Sequence, residues 1–447
     1  MGRAFREPQV HATDQCHTGL PAPRERLTQM IEFGRDTLRF LRDNTRWIGA
    51  GFLLMMFSSF GQTFFIGMSG KALRETFHLS AGGFGGLYML ATLASAVSLP
   101  WLGRTLDVMP GWKVVRFTLP ALALACVLMV LAPNLVLLTG ALYLLRLFGQ
   151  GMMTETAYTE LGRWFIANRG RAMALIVPGQ QAGIALLPVL VVLVDRAGGS
   201  WRAAWIASAG LIVLVGLPSI LTLMRIARVP HSQEVKASAL RTARSWTRAE
   251  VLRDPVFYLL QFGALAPPFI ATVIFFNQDY LIALRGYDPL IFAAAFPVMS
   301  VTTVVFGLVG GHLIDRFGAV RLLPYFLVPL AVTSAALGLI APVWGVYLSM
   351  FLFGISNGIT STMLGALWPE IYGLANLGGI RAMIVSAMVL STAIGPGLSG
   401  LLIDHGVGLP RQLLWLSCWC VLACFVLAYA AWRVRQREAG PAALRAA

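Results

Sequence analysis

The sequence predicts an all-α membrane protein with twelve transmembrane helices in two pseudo-symmetric bundles of six. Of the 447 residues, 57% are hydrophobic and only 12% are charged, whereas a soluble protein has roughly 25% charged residues. Apolar runs of about 20 residues recur along the chain, and each can cross a hydrocarbon core of about 30 Å as a helix. Helices are expected because backbone in lipid must satisfy its own hydrogen bonds. In addition, two sets of loop motifs recur about half a chain length apart.

The first bundle is predicted over residues 47–224 and the second over residues 255–432. The spans of the first bundle are 47–69, 84–102, 114–132, 135–153, 172–194 and 203–223. Those of the second are 256–281, 290–310, 322–340, 344–364, 384–403 and 413–432. A polar linker at 225–254 joins them, between an N-terminal tail at 1–46 and a C-terminal tail at 433–447. Within the first tail, 24–46 has the spacing of an amphipathic helix on the membrane surface, or of a solvated leader helix.

The formal charge of +15 is distributed unevenly. Of the 35 Lys and Arg residues, 28 fall in the tails, the linker and the loops on the same side as the termini. Positive charge stays on the cytoplasmic side of a membrane. We therefore expect a multi-pass protein of the bacterial inner (plasma) membrane with both termini in the cytoplasm. The basic charge is a topology signal, and no nucleic-acid partner is expected.

The loop motifs pair up between the two halves. Gly103, Asp107 and Lys113 recur 208 residues later as Gly311, Asp315 and Arg321, and Glu160 and Arg171 recur 210 residues later as Glu370 and Arg381. A carboxylate at a helix end can sit on a helix N-terminus or accept from an arginine of another helix. We predict that the charged members, with Arg316, form a cytoplasmic gate that closes in the outward-open state. The alternative is that they only set topology and helix ends.

The segment from Gly311 to Arg321 resembles the loop signature G-x-L-x-D-R-x-G-x-x-R/K of the major facilitator superfamily. The resemblance implies a transporter whose halves rock about a central site. Residues 67–77 and 164–174 are similar to loops of the monocarboxylate transporter and oxalate/formate antiporter group. The chain departs from the monocarboxylate carriers, since it has no lysine inside the first span and no charge at 290–310. Proton coupling through an eighth-helix carboxylate is therefore excluded.

Arg146 lies near the middle of the fourth span, where a charge is costly and indicates function by default. The run from Arg146 to Gly151 resembles the superfamily's fourth-helix signature R-x-x-x-Q-G. A buried guanidinium suits a carboxylate, so an anionic substrate is one natural partner; backbone carbonyls or a carboxylate on another helix are the others. The predicted substrate-binding residues are Arg146, Gln62, Gln181, Ser59 and Asn357.

Two acids are candidates for coupling. Asp279 is predicted near the outer end of the seventh span, where it could take up protons or gate the outer mouth, although a helix-end acid in water is equally consistent. Glu155 is predicted near the inner end of the fourth span. No cofactor or metal is expected, because the cysteines lack metal-type spacing. No ATP-binding loop and no set of nucleophile, base and metal occurs, so neither a primary pump nor an enzyme is expected.

The sequence therefore favours a secondary transporter of a small organic anion such as a monocarboxylate. Transport would proceed by symport, with a proton as the possible coupling ion, or by exchange, and the protein is expected to act as a monomer in the lipid bilayer. An exporter of amphipathic drugs or metabolites is the alternative. A third possibility is a membrane receptor that binds its ligand without translocating it, and the two complete half-repeats argue against this.

Overall fold

The computed structural model describes residues 35, 36, 38–165, 169–226, 228, 246–373 and 376–446. Contacts divide the chain into two compact units, residues 1–45 and 46–447. In the first unit, residues 38–43 are helical and Leu38 is exposed. Residues 24–34 and 37 of the predicted amphipathic helix, and most of the predicted linker, lie outside the described residues.

Eleven helices in the described part of the chain are long and apolar enough to cross a membrane, and the predicted all-helical membrane fold is confirmed. The first half contains α1 (Thr45–Gly67), α2 (Ala81–Val108), α3 (Gly111–Leu131), α4 (Leu135–Trp164), α5 (Gly170–Arg196) and α6 (Trp201–Met224). The second half contains α7 (Pro255–Phe276), α8 (Pro289–Phe317), the shorter α9 (Val328–Leu339), α10 (Val343–Tyr372), α11 (Gly379–Asp404) and α12 (Leu409–Arg437). The end of the bundle where α1 begins and α12 ends is called the terminal face, and the other end the far face.

The ninth predicted span is not one continuous helix. A four-residue helix, Ala319–Leu322, is followed by turns at 323–327 and then by the twelve residues of α9, which rise only about 18 Å. Pro324 and Pro329 explain the interruption, because proline lacks the backbone N–H and its ring clashes with the preceding turn. At the far face, the Arg285 guanidinium donates to the carbonyls of Leu337 and Ile340 and so caps the end of α9.

The first helix of each half is interrupted within the membrane-spanning region. Helix α1 is α-helical to Phe57, forms a 3-10 turn over Ser58–Gly61, and resumes at Thr63 after an extended residue, Gln62. Helix α7 is interrupted at Leu265, just before two prolines that cannot complete the helical bonds of the previous turn. The continuous first and seventh spans that the sequence predicts are therefore each built from two helical pieces.

The internal repeat is visible in the contacts of two acids at the terminal face. The Glu160 carboxylate accepts a hydrogen bond from the Gly111 N–H, at the start of α3. The Glu370 carboxylate accepts from the N–H groups of Ala319 and Val320, at the corresponding start in the second half. The first N–H groups of a helix have no partner within it, so each acid completes the helix beside it. Gly111 and Ala319 are 208 residues apart, as the loop motifs are.

Asp254 anchors the end of the linker to the second half. Its carboxylate is 1% exposed, accepts two hydrogen bonds from Arg437 at 2.8 and 2.6 Å, and accepts one from the Tyr372 hydroxyl at 3.1 Å. It also caps α7 through the Val256 N–H. Burial alone would raise the pKa of Asp254, but the bonds from Arg437, the Val256 N–H and Tyr372 outweigh burial and hold the pKa below its usual value.

Asp254→Ala is expected to lower the free energy of unfolding by about 2–3 kcal/mol, because it leaves Arg437 and Tyr372 without their buried partner. A lowered pKa gives stabilisation that is present above about pH 4 and lost as the pH falls through the folded-state value. The difference in free energy of unfolding between the wild type and the variant should therefore shrink below pH 4. Unfolding of both proteins in mixed detergent micelles from pH 3 to pH 7 measures this difference. An equal deficit at every pH, or an equal loss in Asp195→Ala at an exposed acid, would contradict this assignment.

Candidate functional site

Aromatic side chains from the two halves meet toward the far face. Phe276 of α7 stacks on Phe84 of α2 with ring centroids 4.8 Å apart, and the ring of Tyr88 lies 4.7 Å from the same Phe276 ring. Phe64 of α1 lies 5.9 Å from Phe296 of α8. All five rings are buried. The two halves are therefore packed against each other at this end.

Besides a hydrogen bond from Gln278 to the Phe64 carbonyl at 2.7 Å, polar contacts among the described residues close the same face in three places. Arg74 donates to the Asp279 carboxylate at 2.8 Å, and Arg196 at the end of α5 forms an ion pair with Asp288 at the start of α8. In the third place, the Asp404 carboxylate at the end of α11 accepts from backbone N–H groups at the start of α2. Each contact joins the first half to the second, so separating the halves at the far face would break all three.

Asp279 lies beyond the end of α7, in the short helix Gln278–Arg285. Its side chain is only 9% exposed, and its Oδ1 atom has no hydrogen-bond partner among the described residues. Burial raises the pKa of Asp279, and the attraction of Arg74 opposes that rise. The structure thus places this predicted coupling acid in a buried ion pair between the halves and not in water.

A cavity of about 360 Å³ lies in the second half, between the middle of α7 and the terminal-face ends of α10 and α11. Its polar lining consists of Ser356, Asn357, Thr360, Ser361 and Arg381, among apolar side chains that include Phe353, Leu364, Trp368, Ile384 and Met388. Among the described residues of this lining, Arg381 is the only charged one. Of the predicted substrate-binding residues, Asn357 lies here, and it is joined by Arg381, which the sequence places in a gate.

The other predicted substrate-binding residues lie in the first half, away from this cavity. Ser59 and Gln62 belong to the interrupted stretch of α1, and Ser59 packs against Gly183 of α5. Gln181 of α5 is 6% exposed, and its carbonyl oxygen has no hydrogen-bond partner among the described residues. The structure therefore divides the predicted set between two places.

Arg146 binds the interruption of α1. Its side chain is 3% exposed, and one guanidinium nitrogen donates to the Gly61 carbonyl at 3.2 Å. The guanidinium lies 5.4 Å from the ring centroid of Tyr88, whose hydroxyl is hydrogen-bonded to Thr63 just after the break. The Arg146 Nε atom has no hydrogen-bond partner among the described residues. Of the partners that sequence reasoning left open, the structure shows a backbone carbonyl.

The backbone around Arg146 is itself unusual. Residues Leu145–Met153 of α4 form a π-helix, which contains Arg146, Gly149 and Gln150. Such segments are rare and often mark functional sites. The break of α7 in the other half also receives a side-chain hydrogen bond, because Ser391 of α11 donates to the carbonyl of Leu265.

Tyr88 is not among the residues that the sequence analysis singles out. No local motif could have indicated it, because its partners come from two other helices.

The predicted gate residues lie at the terminal face. Glu160 and Glu370 bind helix starts of their own halves, as described above. Arg163 donates to Glu160 and lies 3.9 Å from Asp107. The sequence analysis does not single out Arg163, although its spacing of three residues from Glu160 on a helix could have indicated the ion pair. Exposed gate residues include Asp315, Arg316, Arg321 and Arg381, and Lys113 lies 5.6 Å from the centroid of the Trp112 ring.

Glu155 is exposed on α4, one helical turn before Tyr158. The Tyr158 hydroxyl of the first half lies within electrostatic range of Glu155 and of Arg381 of α11. Residues from the two halves therefore lie near each other beside the cavity.

Comparison with known proteins agrees with this architecture. The family model of the Major Facilitator Superfamily matches residues 51–380 and residues 284–447. No curated relative matches the chain by sequence.

Solved structures share the fold at low sequence identity. A bacterial homolog of the human lysosomal transporter Spinster, inward-facing and unoccupied, has a TM-score of 0.67 at 14% identity, over 88% of this chain and 98% of its own. The nucleoside transporter NupG has a TM-score of 0.66 at 14% identity, over 87% and 99%. The Spinster homolog in its inward-facing, occupied conformation has a TM-score of 0.59 at 15% identity, over 88% and 96%.

Proposed function

The chain belongs to the major facilitator superfamily and is a transporter, and we propose that it carries a small organic anion by alternating access. Membership is shown by the family model, which covers nearly the whole membrane region. The terminal face is the cytoplasmic face in this proposal, because most Lys and Arg residues lie there. A far face at which polar contacts join the two halves corresponds, in this proposal, to an inward-facing state.

The observation that carries the substrate class is the charge of the cavity. Of the described residues that line it, only Arg381 is charged, and Asn357, Thr360 and Ser361 supply neutral hydrogen-bonding groups beside it. A guanidinium pairs with a carboxylate through two parallel hydrogen bonds. The apolar remainder of the lining suits the hydrocarbon part of the same molecule. A small monocarboxylate meets both requirements.

Coupling follows from charge balance when the cavity closes. Without substrate, Glu155 can offset the charge of Arg381, since both lie within electrostatic range of the Tyr158 hydroxyl. With an anion on Arg381, Glu155 would be left as an unpaired charge in a closing site, which is costly. A proton on Glu155 removes that cost, so the proposal is symport of one proton with each monocarboxylate. Exchange of one anion for another is the other possible mode, and Asp279 is the second candidate for the proton.

The gate predicted at the cytoplasmic face belongs to the opposite state. Asp107, Glu160, Glu370 and their neighbours bind within their own halves while the far face is closed. The exposed gate residues, among them Asp315, Arg316 and Arg321, become available to the other half when the cytoplasmic ends approach. Unchanged transport and unchanged cytoplasmic accessibility in Asp315→Asn would refute this role.

A thermal-shift screen of the purified protein tests the substrate class. Lactate, benzoate, oxalate and the cationic drug ethidium are each added, because a ligand that binds only the folded state raises its melting temperature. We expect the monocarboxylates to stabilise the protein. Arg381→Gln should weaken their binding by about 30-fold, as expected for loss of a charge-assisted hydrogen bond of about 2 kcal/mol.

Arg171→Gln is the matched control, since Arg171 is the repeat counterpart of Arg381 and does not line the cavity. It should bind monocarboxylates as the wild type does. Stabilisation by ethidium alone, unchanged in Arg381→Gln, would replace the anion proposal with export of amphipathic drugs, which the mostly apolar lining also suits. Uptake into liposomes with and without a proton gradient then distinguishes symport from exchange.

A further inference from the structure

We propose that Asp404 is a positioning residue of the transport cycle, a latch that holds the far face closed by capping the opposite half's helix α2. The Asp404 carboxylate accepts hydrogen bonds from the backbone N–H groups of Gly82 at 2.8 Å and Ala81 at 3.1 Å. Asp404 is the last residue of α11 in the second half, and these N–H groups open α2 in the first. The inference rests on the alternating access proposed above but not on the identity of the substrate.

The contact is favourable because of what a helix start lacks. The first N–H groups of a helix have no internal partner, and the aligned peptide dipoles leave partial positive charge there. The first piece of α2, Ala81–Gly103, is a helix of 23 residues. Its own N-cap, Ser80, accepts from the Gly83 N–H at 2.9 Å. The Asp404 carboxylate accepts from the other two N–H groups at this helix start, those of Ala81 and Gly82.

The position of Asp404 has no explanation within its own helix. The C-terminal end of a helix carries partial negative charge, so a carboxylate there is repelled by α11 itself. At the start of α2 the same carboxylate meets charge of the opposite sign. Asp404 is therefore better placed in the closed far face than with the two halves apart, and its charge favours closure.

The backbones of α2 and α11 approach closely enough to make the contact specific to the closed state. A Cβ on Gly82 would lie 2.5 Å from an Asp404 carboxylate oxygen, and a Cβ on Gly85 would lie 2.4 Å from the Pro396 carbonyl. From α11, a Cβ on Gly400 would lie 2.4 Å from the Ala81 carbonyl. These glycines let the helices touch. A separation of even one side-chain width would take Asp404 out of hydrogen-bond range.

The first half provides a matched control. Asp195 stands one residue before the end of α5, 209 residues ahead of Asp404 in the repeat. Its side chain is exposed and forms no hydrogen bond or ion pair, among the described residues, with the start of α8, where Asp288 serves as the N-cap. Asp195→Ala thus removes the same charge from a similar helix end without breaking a bond between the halves.

Hydrogen–deuterium exchange of the full chain in lipid nanodiscs tests the latch. In Asp404→Ala we expect exchange over residues 81–90 to become about tenfold faster, the size typical of losing a charged helix cap. Exchange over the cavity-lining residues 381–390 should become slower, because molecules that open at the far face close at the other. Asp195→Ala should match the wild type at both places.

Opposite changes at the two faces distinguish a latch from a merely structural contact. Faster exchange at both faces would mean that the variant only loosens the fold, and unchanged exchange over residues 81–90 would mean that Asp404 does not hold the face closed; either result overturns the proposal. If Asp404→Ala does not fold, Asp404→Asn serves instead, because its amide keeps one acceptor oxygen. Its expected change is in the same directions and about threefold.

Discussion

Gly61→Ala is expected to lower the free energy of unfolding by at least about 4 kcal/mol, among the largest effects of a single substitution. A Cβ at this position would lie 2.1 Å from the Leu145 carbonyl oxygen and 2.7 Å from the Gln150 N. These are backbone atoms of α4, so no side-chain rotation relieves the overlap. The interrupted part of α1 would have to move away from the π-helix. Unfolding in mixed detergent micelles, and the yield of monodisperse protein, measure the loss.

Gly140→Ala is the control for this prediction. It lies in α4 as well, and a Cβ there would meet nothing within 4 Å. Since alanine is the better helix former by about 1 kcal/mol, this variant should be as stable as the wild type or more so. Similar behaviour of the two variants would show that the close approach of α1 and α4 does not limit stability.

The contact at Gly61 is reciprocal. A Cβ on Gly149, within the π-helix, would lie 2.6 Å from the Gly61 Cα. Small residues let helices approach closely in lipid, where packing and not the hydrophobic effect drives association. The close approach also brings Arg146 within reach of the Gly61 carbonyl. The interruption of α1, the π-helix of α4 and the buried charge are thus parts of one arrangement.

The membrane helices followed from sequence because lipid leaves the backbone few choices. Every span had to be a helix, and the uneven distribution of arginine indicated which face carries the termini. The interruptions in α1, α7 and α9 have different causes, and prolines adjoin those in α7 and α9. Pro324 and Pro329, which shorten α9, are visible in the sequence, but the predicted span over residues 322–340 does not take them into account. The break at Ser58–Gln62 contains no proline and depends on how α4 packs against it, so no local sequence pattern indicates it.

Candidate site residues were harder to predict because their partners are distant in sequence. Asp279 is a predicted coupling residue, but its pairing with Arg74 across 205 residues comes from the packing of two halves. Arg146 was found because charge in lipid is rare. Its observed partner, the Gly61 carbonyl, is a group that every residue carries, so sequence could not specify it. Its role as a substrate ligand stays a prediction.

Arg146→Leu is expected to lower the transport rate at least about a hundredfold while leaving the melting temperature unchanged or higher. Burying a guanidinium that lacks a full set of partners costs free energy, and an apolar residue of similar volume often stabilises such a site. A charge retained at that cost indicates function. We predict that this function is to hold α1 in two pieces that can shift relative to each other, and a rate loss of this size corresponds to about 2.7 kcal/mol in the barrier.

Arg285→Leu gives the contrast, because Arg285 also donates to backbone carbonyls but at the far face, where it caps α9. That variant should melt at a lower temperature and transport at a nearly normal rate per folded molecule. Transport by Arg146→Leu at the wild-type rate would show that the buried charge is not needed for the cycle. Normal binding of a monocarboxylate with slow transport would assign Arg146 to the movement of α1, whereas loss of binding would make it a substrate ligand, as its position in the fourth span first suggests.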